Sequence, residues 1–295
     1  MNPLRPVILA AALATFAGAA IPARAADIHE TAREVLESHG GAVVTVDVVR
    51  EINQSEDRAE NQGLVVDESG KVVMALSQID PSALYELLSG SREADFTTTV
   101  KDIKYILPDG TEIPATILVR DRDLDIAVLA PKEPLEEALP YVDLNDSAEA
   151  KVMDPIFAIS RTGRITRRIA LGMTGEVQGI VDRPRQFYIP SASIVGDEGN
   201  IGSPVFGADG KILGLILLHV QPGAFNDPTA TKPVIPVVRP VADLLEVVAQ
   251  AENATPEDIG GETEEASDEE MEETGDAEDI DVNGDMDLEV ELETE

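Results

Sequence analysis

The chain has 295 residues, a formal net charge of −35, no cysteine, and aromatic side chains at only 3% of positions. The missing thiols exclude disulfides, thiolate metal sites, a cysteine nucleophile and a lipidated N-terminal cysteine, and the acidic balance repels phosphate backbones, which argues against a nucleic-acid partner. Length allows one large or two small domains, and without Trp a core must be filled by Val, Ile, Leu and Ala, which suits packed β-sheets.

The first 25 residues read as a secretory signal peptide. Arg5 supplies the positive start, Val7 to Ala20 an apolar stretch short of a bilayer span, and Ala23-Arg24-Ala25 a small-x-small cleavage site. This predicts export to the periplasm or beyond, with no stable membrane anchor once the signal is cut; an uncleaved anchor is the alternative. Asp27 to Ser38 has helical spacing, with Ile28, Ala32, Val35 and Leu36 on one side and Gly40-Gly41 as its stop.

From Ala42 the pattern changes to short β-rich runs: Val43–Val49, Leu64–Val66, Val72–Ala75, Thr97–Leu107, Ile113–Val119 and Ile126–Leu129. They continue as Val152–Ile159, Ile165–Val181, Phe187–Ile189, Val205–Phe206, Ile212–Val220 and Val234–Ile235. Asp67–Gly70, Pro108-Asp109-Gly110 and Ala208-Asp209-Gly210 are turn signals between them. Many short strands at regular spacing argue for an all-β sandwich or barrel. One helix interrupts the series, with Asp80 as its cap, Pro81 at its first position and Ala83, Leu84, Leu87 and Leu88 at helical spacing. Val241 to Val248 reads as a closing amphipathic helix. Residues 251–295 hold 21 Asp or Glu and no Lys or Arg, leaving 36 acidic and 22 basic residues in the rest of the chain. Such a tail cannot bury enough apolar surface to offset its ordering entropy and is expected to be disordered.

Four segments carry a resemblance to a known family. Gly63 to Ile79 resembles the first-barrel hairpin of HtrA/Deg-type trypsin-like serine proteases, which ends in the catalytic histidine. Asp125-Ile-Ala-Val-Leu129 resembles the strand that begins with the catalytic aspartate. Gly199-Asn200-Ile201-Gly202-Ser203-Pro204-Val205 resembles the nucleophile loop, Gly-Asn-Ser-Gly-Gly-Pro in the family. Lys211 to Leu215 and Pro233 to Pro236 resemble its closing strands. The resemblance covers roughly Val43 to Gln250 and implies two packed six-stranded β-barrels there, within a protease-fold domain of residues 26–250, with a site in the cleft between them. Residues Ile79–Thr98 read as an insertion, and the PDZ domain of many members has no counterpart in this sequence.

The carried-over triad is degenerate. The histidine position is Ser77, the serine position is Ile201, and only Asp125 keeps its residue type. A serine protease needs a hydroxyl nucleophile, an imidazole to take its proton and a carboxylate to orient the imidazole. No spacing places His29, His39 or His219 beside Asp125, and Ser203 reads as an ordinary turn serine rather than a displaced nucleophile. Asp125 reads equally well as a polar residue opening a buried strand. Gly199, Asn200 and Ile201 are what is left of the oxyanion loop, whose backbone donors do not depend on side chains. By family analogy Ala170 to Val177 offers an edge for an extended peptide.

The chain is therefore expected to be a catalytically inactive pseudoprotease that binds a protein or peptide and needs no cofactor. One alternative is an active endopeptidase with a displaced constellation. Another is a calcium-responsive tail: Asp279, Asp281, Asn283 and Asp285 match the first half of an EF-hand loop, but Val290 stands where the twelfth-position Glu should be.

Overall fold

The computed structural model describes residues 28–89, 97–196, 200–221, 224, 227, 229 and 231–257. Residues 1–27, with the expected signal peptide, Gly199, the acidic residues from 258 onward and the calcium candidates Asp279, Asp281, Asn283 and Asp285 lie outside the described residues. Among the described residues no helix is long and apolar enough to cross a membrane.

Helix α1 (Ile28–His39) precedes six strands: β1 (Val43–Ile52), β2 (Ser55–Val65), β3 (Val72–Ala75), β4 (Thr98–Ile106), β5 (Glu112–Asp121) and β6 (Ile126–Pro131). These close into one barrel in the order β1-β2-β3-β6-β5-β4, every pairing antiparallel. The second half supplies β7 (Pro155–Arg161), β8 (Ala170–Val181), β9 (Phe187–Pro190), β10 (Pro204–Gly207), β11 (Ile212–Val220) and β12 (Val234–Pro240), closed in the order β10-β11-β12-β9-β8-β7. The fold is the expected pair of six-stranded barrels. Helix α2 (Ser82–Ser89) interrupts the first barrel, α3 (Ala192–Val195) the second, and α4 (Val241–Ala251) follows it.

Local chemistry sets the joints. Ile52 pairs with Ser55 across a two-residue turn in which Asn53 and Gln54 have φ of 48° and 69°, the left-handed pair that a tight hairpin requires. Asp80 caps α2, its Oδ1 accepting from the Ser82 N–H at 3.1 Å. The first half of β2, Ser55–Asn61, carries little apolar alternation and escapes a pattern reading, yet it pairs residue for residue with Val46–Ile52 of β1.

Strand alternation sorts the core into three parts. Val44, Val46, Val48, Met74 and Ile103 fill the first barrel, and Ile156, Ala158, Val205, Ile216 and Val238 fill the second. The third part lies between the barrels. There Val43, Leu64, Val73 and Ile126 meet Phe157, Phe206, Leu215 and Leu217, with Val241, Leu244 and Val247 of α4 packed against them. This shared core fixes one barrel on the other and so fixes the cleft. The packed chain continues past α4: Glu257 N–H donates to the Ile117 carbonyl at 2.9 Å, and its carboxylate pairs with Arg120 at 2.9 Å.

Candidate functional site

The cleft is built from the ends of β3, β6 and β11 and from the loop before β10. β3 runs into a 3-10 turn, Leu76–Gln78, that presents Ser77 and Gln78. Asp125 precedes β6 with φ of 60°, a left-handed conformation uncommon outside glycine that Asp, like Asn, adopts more readily than most side chains. The Leu76 N–H fastens the two segments by donating to the Asp125 carbonyl at 3.1 Å.

Ser77 and Asp125 are in direct contact. The Ser77 N–H donates to Oδ1 at 2.7 Å and its hydroxyl to Oδ2 at 3.1 Å, and the Leu218 N–H donates to Oδ2 at 3.0 Å. The carboxylate is buried, and burial pushes its pKa up to about 6; the donors from Leu218 and Ser77 and the charge of Arg239 pull the other way without overcoming it.

Ile201 is brought to the same cleft by a different route. Its carbonyl accepts from Gln62 Nε2 at 3.0 Å and from Gln78 Nε2 at 3.2 Å, and Gln78 is the neighbour of Ser77. Its side chain packs against the inter-barrel core and the core of the second barrel. No lone pair is offered there; the position is filled with hydrocarbon. Ser203 is fully buried, its Oγ accepting from Gln62 Nε2 at 2.8 Å. Gly202 is required beside it, because φ is +86° and a Cβ would lie 2.7 Å from the Gln62 carbonyl oxygen. Asn200 has φ of 42° and its Nδ2 donates to the Ile194 carbonyl at 3.0 Å. Gly199 lies outside the described residues, so the remnant oxyanion loop is visible here only as Asn200 and Ile201.

Two depressions flank this arrangement. One, of about 530 Å³, is walled by Leu76, Leu84, Leu218, Val220 and Ile235, with Ser77, Asp125 and His219 among its polar groups. The other, about 130 Å³ and polar, lies between Gln62, Gln78, Arg161, Asn200 and Ile201. Gln78 Oε1 is buried there with no hydrogen-bond partner.

Spacing gave no reason to place His219 beside Asp125, and no contact joins the two among the described residues, but His219 lines the same pocket as Asp125 and Ser77, one residue beyond the Leu218 amide that binds the carboxylate. A signal was present: on β11, Leu215 and Leu217 face the inter-barrel core, and residue 219 has the same parity. His219 Nδ1 lies 3.2 Å from Arg239 Nη2. Arginine only donates, so Nδ1 accepts and the neutral ring carries its proton on Nε2. Burial, then the charge of Arg239, lowers the His219 pKa, and no hydrogen bond joins it to Ser77 among the described residues. Of the other histidines, His39 stacks on Phe206 with ring centroids 4.8 Å apart and His29 lies on α1. Gln62, Gln78 and Arg239 were also missed; they act through contacts between segments far apart in sequence.

Two closed barrels, a carboxylate between them and a Gly-Ser-Pro turn entering β10 agree with the comparison against protein families, which matches residues 31–215 to the trypsin-like peptidase domain. The chain belongs to this family. Curated relatives of this trypsin-like chain include a protein of Rickettsia conorii described as a probable periplasmic serine endoprotease, DegP-like; it is 31% identical over 121 residues, 39% of this chain and 23% of the relative. A protein of Halomonas elongata with the same description is 28% identical over 116 residues, 39% of this chain and 23% of the relative, and one of Bartonella henselae is 30% identical over 126 residues, 41% and 24%. The chain spans about a quarter of the length of these relatives in the regions that match.

Proposed function

We propose that this trypsin-like chain is an exported pseudoprotease that holds extended polypeptide in the cleft between its barrels and does not cleave it. The observation that carries the reading is the occupation of the two positions flanking the chemistry. Ser77 stands against Asp125 where an imidazole would be needed, and Ile201 puts an apolar side chain into the core where a nucleophile would be needed. A hydroxyl is no base near neutral pH and a hydrocarbon is no nucleophile. Binding is supported by what is left: an apolar pocket, and β11, whose Leu217–Val220 have β12 as their one strand partner among the described residues, the Leu218 N–H on the other side being taken by Asp125. Strand addition along such an edge supplies main-chain hydrogen bonds without sequence demands. Export rests on the signal-like start and on the periplasmic description of the relatives.

Cleavage by a displaced constellation has one observation in its favour, His219 in the pocket with Ser77. The engagement of Nδ1 by Arg239 and the absence of a Ser77–His219 bond weigh against it. The deciding experiment incubates the mature protein with a fluorophosphonate probe and with casein, and measures binding of a permanently unfolded polypeptide by anisotropy. The reading requires binding with neither labelling nor cleavage; hydrolysis that disappears in Ser77→Ala would replace it with the displaced-site alternative.

A further inference from the structure

The hairpin of β7 and β8 projects at one end of the second barrel. The two strands pair from Pro155 opposite Glu176 to Arg161 opposite Ala170, whereas β8 pairs with β9 only from Val177 onward. Ala170–Met173 thus have a strand partner on one side alone, and Leu171 and Gly172 are exposed. The connecting segment carries charge and apolar surface together. Between Asp154 and Glu176 there are four arginines and no acidic residue, in a chain whose net charge is −35. Ile165 is 99% exposed, with Ile169 and Leu171 exposed beside it.

This tip is held in shape. Arg167 and Arg168 have φ of 60° and 52°, two consecutive left-handed residues without a glycine, a conformation that persists only where its surroundings enforce it. The Arg168 N–H donates to the Gly163 carbonyl at 3.2 Å and the Arg167 N–H to the Arg164 carbonyl at 3.0 Å. Arg161 donates to the Arg168 carbonyl at 2.7 Å, and the Arg168 guanidinium is paired with Glu60. Arg161 and Arg168 are thereby committed to structure. Arg164 and Arg167 have no carboxylate partner among the described residues and flank Ile165.

We infer that this hairpin tip docks an extended acidic segment of a partner protein, with carboxylates on Arg164 and Arg167, apolar side chains on Ile165, Ile169 and Leu171, and main chain along the open edge of β8. Charge complementarity selects the acid, and the one-sided edge selects an extended chain. A flat anionic bilayer fits less well. Helix α1 lies against the same half of β8, with Leu36 beside Gly172, and it carries the exposed carboxylates Glu30, Glu34 and Glu37, which a broad surface would meet and a single strand would not. The tip borders the polar depression through Arg161, Thr162 and Gly163, but docking there rests on the hairpin's own charge and edge and not on peptide binding in the cleft.

The test is anisotropy of a fluorescein-labelled nonapeptide alternating Glu with Leu and Val, titrated with the full chain at low salt. Because Asp285–Glu293 has the same alternation, a second full-length host carries amides at those five carboxylates. Saturable binding to both hosts is expected, weakened about tenfold or more by raising salt to about 0.3 M and about tenfold by Arg164→Gln/Arg167→Asn. Ile165→Ser is expected to weaken it severalfold at unchanged thermal midpoint. Equal affinity in wild type and variants, or no binding to either host, overturns the inference. Binding only to the amide host reassigns the surface to the chain's own C-terminal sequence, and binding to phosphatidylglycerol vesicles without binding to the peptide reassigns it to a membrane; both outcomes overturn the partner reading.

Discussion

Ser77 closes both oxygens of Asp125, its N–H on Oδ1 at 2.7 Å and its hydroxyl on Oδ2 at 3.1 Å. A carboxylate so enclosed in protein has little water to stabilise its charge. Three donors are not enough to offset burial, and the pKa stands at about 6 against an ordinary 3.8.

The first prediction follows from that difference. Between pH 3.8 and about 6 the folded protein keeps a proton that the unfolded chain has released, so stability attributable to Asp125 falls as pH rises through this window and is flat above it. At ~1.4 kcal/mol per pH unit the drop is about 3 kcal/mol. Asp125→Asn tolerates the left-handed backbone and does not titrate. The difference in unfolding free energy between wild type and Asp125→Asn, measured in urea from pH 4 to 7, is expected to shift in favour of the variant as pH rises and to level off above about 6. A constant difference would show that Asp125 titrates alike in both states.

The strand series was legible because period-2 runs and Asp-Gly turns are local signals, and β3 and β11 were read to the residue; that the series closes into two six-stranded barrels was implied only by the family resemblance. The polar Ser55–Asn61 half of β2 was not legible, since its place comes from pairing with β1 rather than from its own apolar pattern. At the site, Ser77 and Asp125 could be named because motifs surround them. Gln62 and Gln78 could not, because a glutamine gains meaning only from the residue it reaches, here Ile201, 139 and 123 positions away. His219 was within reach of strand parity, but the Arg239 contact that fixes its tautomer was not.

Gln62 bridges the barrels. Its Nε2 donates to the Ile201 carbonyl and the Ser203 hydroxyl, and its Oε1 accepts from the Arg161 N–H at 2.9 Å. Gln62→Leu keeps the bulk, removes all three bonds and strands a buried hydroxyl and an amide. A loss of about 2–4 kcal/mol is expected from urea unfolding, since each abandoned buried group costs on the order of 1–3 kcal/mol with partial relaxation. A loss under about 0.5 kcal/mol would mean that water or Gln78 takes over these groups.

The end of the packed chain can be located by truncation. Thr116 Oγ1 donates to the Glu257 carbonyl at 2.7 Å, and the Glu257 N–H reaches the Ile117 carbonyl. The Arg120–Glu257 pair is partly exposed, which limits its worth to under about 1 kcal/mol. A chain ending after Ala251 is expected to be about 1–2 kcal/mol less stable than one ending after Glu257, the two backbone contacts supplying most of the difference. Calorimetry of the two chains compares them directly, and equal midpoints would show that residues 252–257 add nothing.

The last prediction concerns restoration of chemistry. The wild-type protein is expected to stay unlabelled by a fluorophosphonate at any serine, because Ser203 is buried against Gln62 and Ser77 has a carboxylate but no imidazole. Ile201→Ser alone supplies a hydroxyl without a base. It also removes a side chain packed against two cores, at a cost of about 1–3 kcal/mol given its partial burial. Ser77→His alone supplies a base without a nucleophile, and the roughly 530 Å³ pocket beside Ser77 leaves room for the ring. Loss of one triad member typically costs about four decades or more of rate, and the members act as a unit. Each single variant should therefore remain silent, while Ser77→His/Ile201→Ser labels at residue 201. Ser203→Gly in addition frees the loop from one of the Gln62 bonds and is expected to raise the labelling rate. Mass spectrometry of the labelled peptide reads the site. Modification of Ser203 or Ser77 in the wild-type protein would show that the nucleophile had moved rather than been lost, and a double variant that folds, binds peptide and still resists the probe would place the defect in the loop backbone around Asn200.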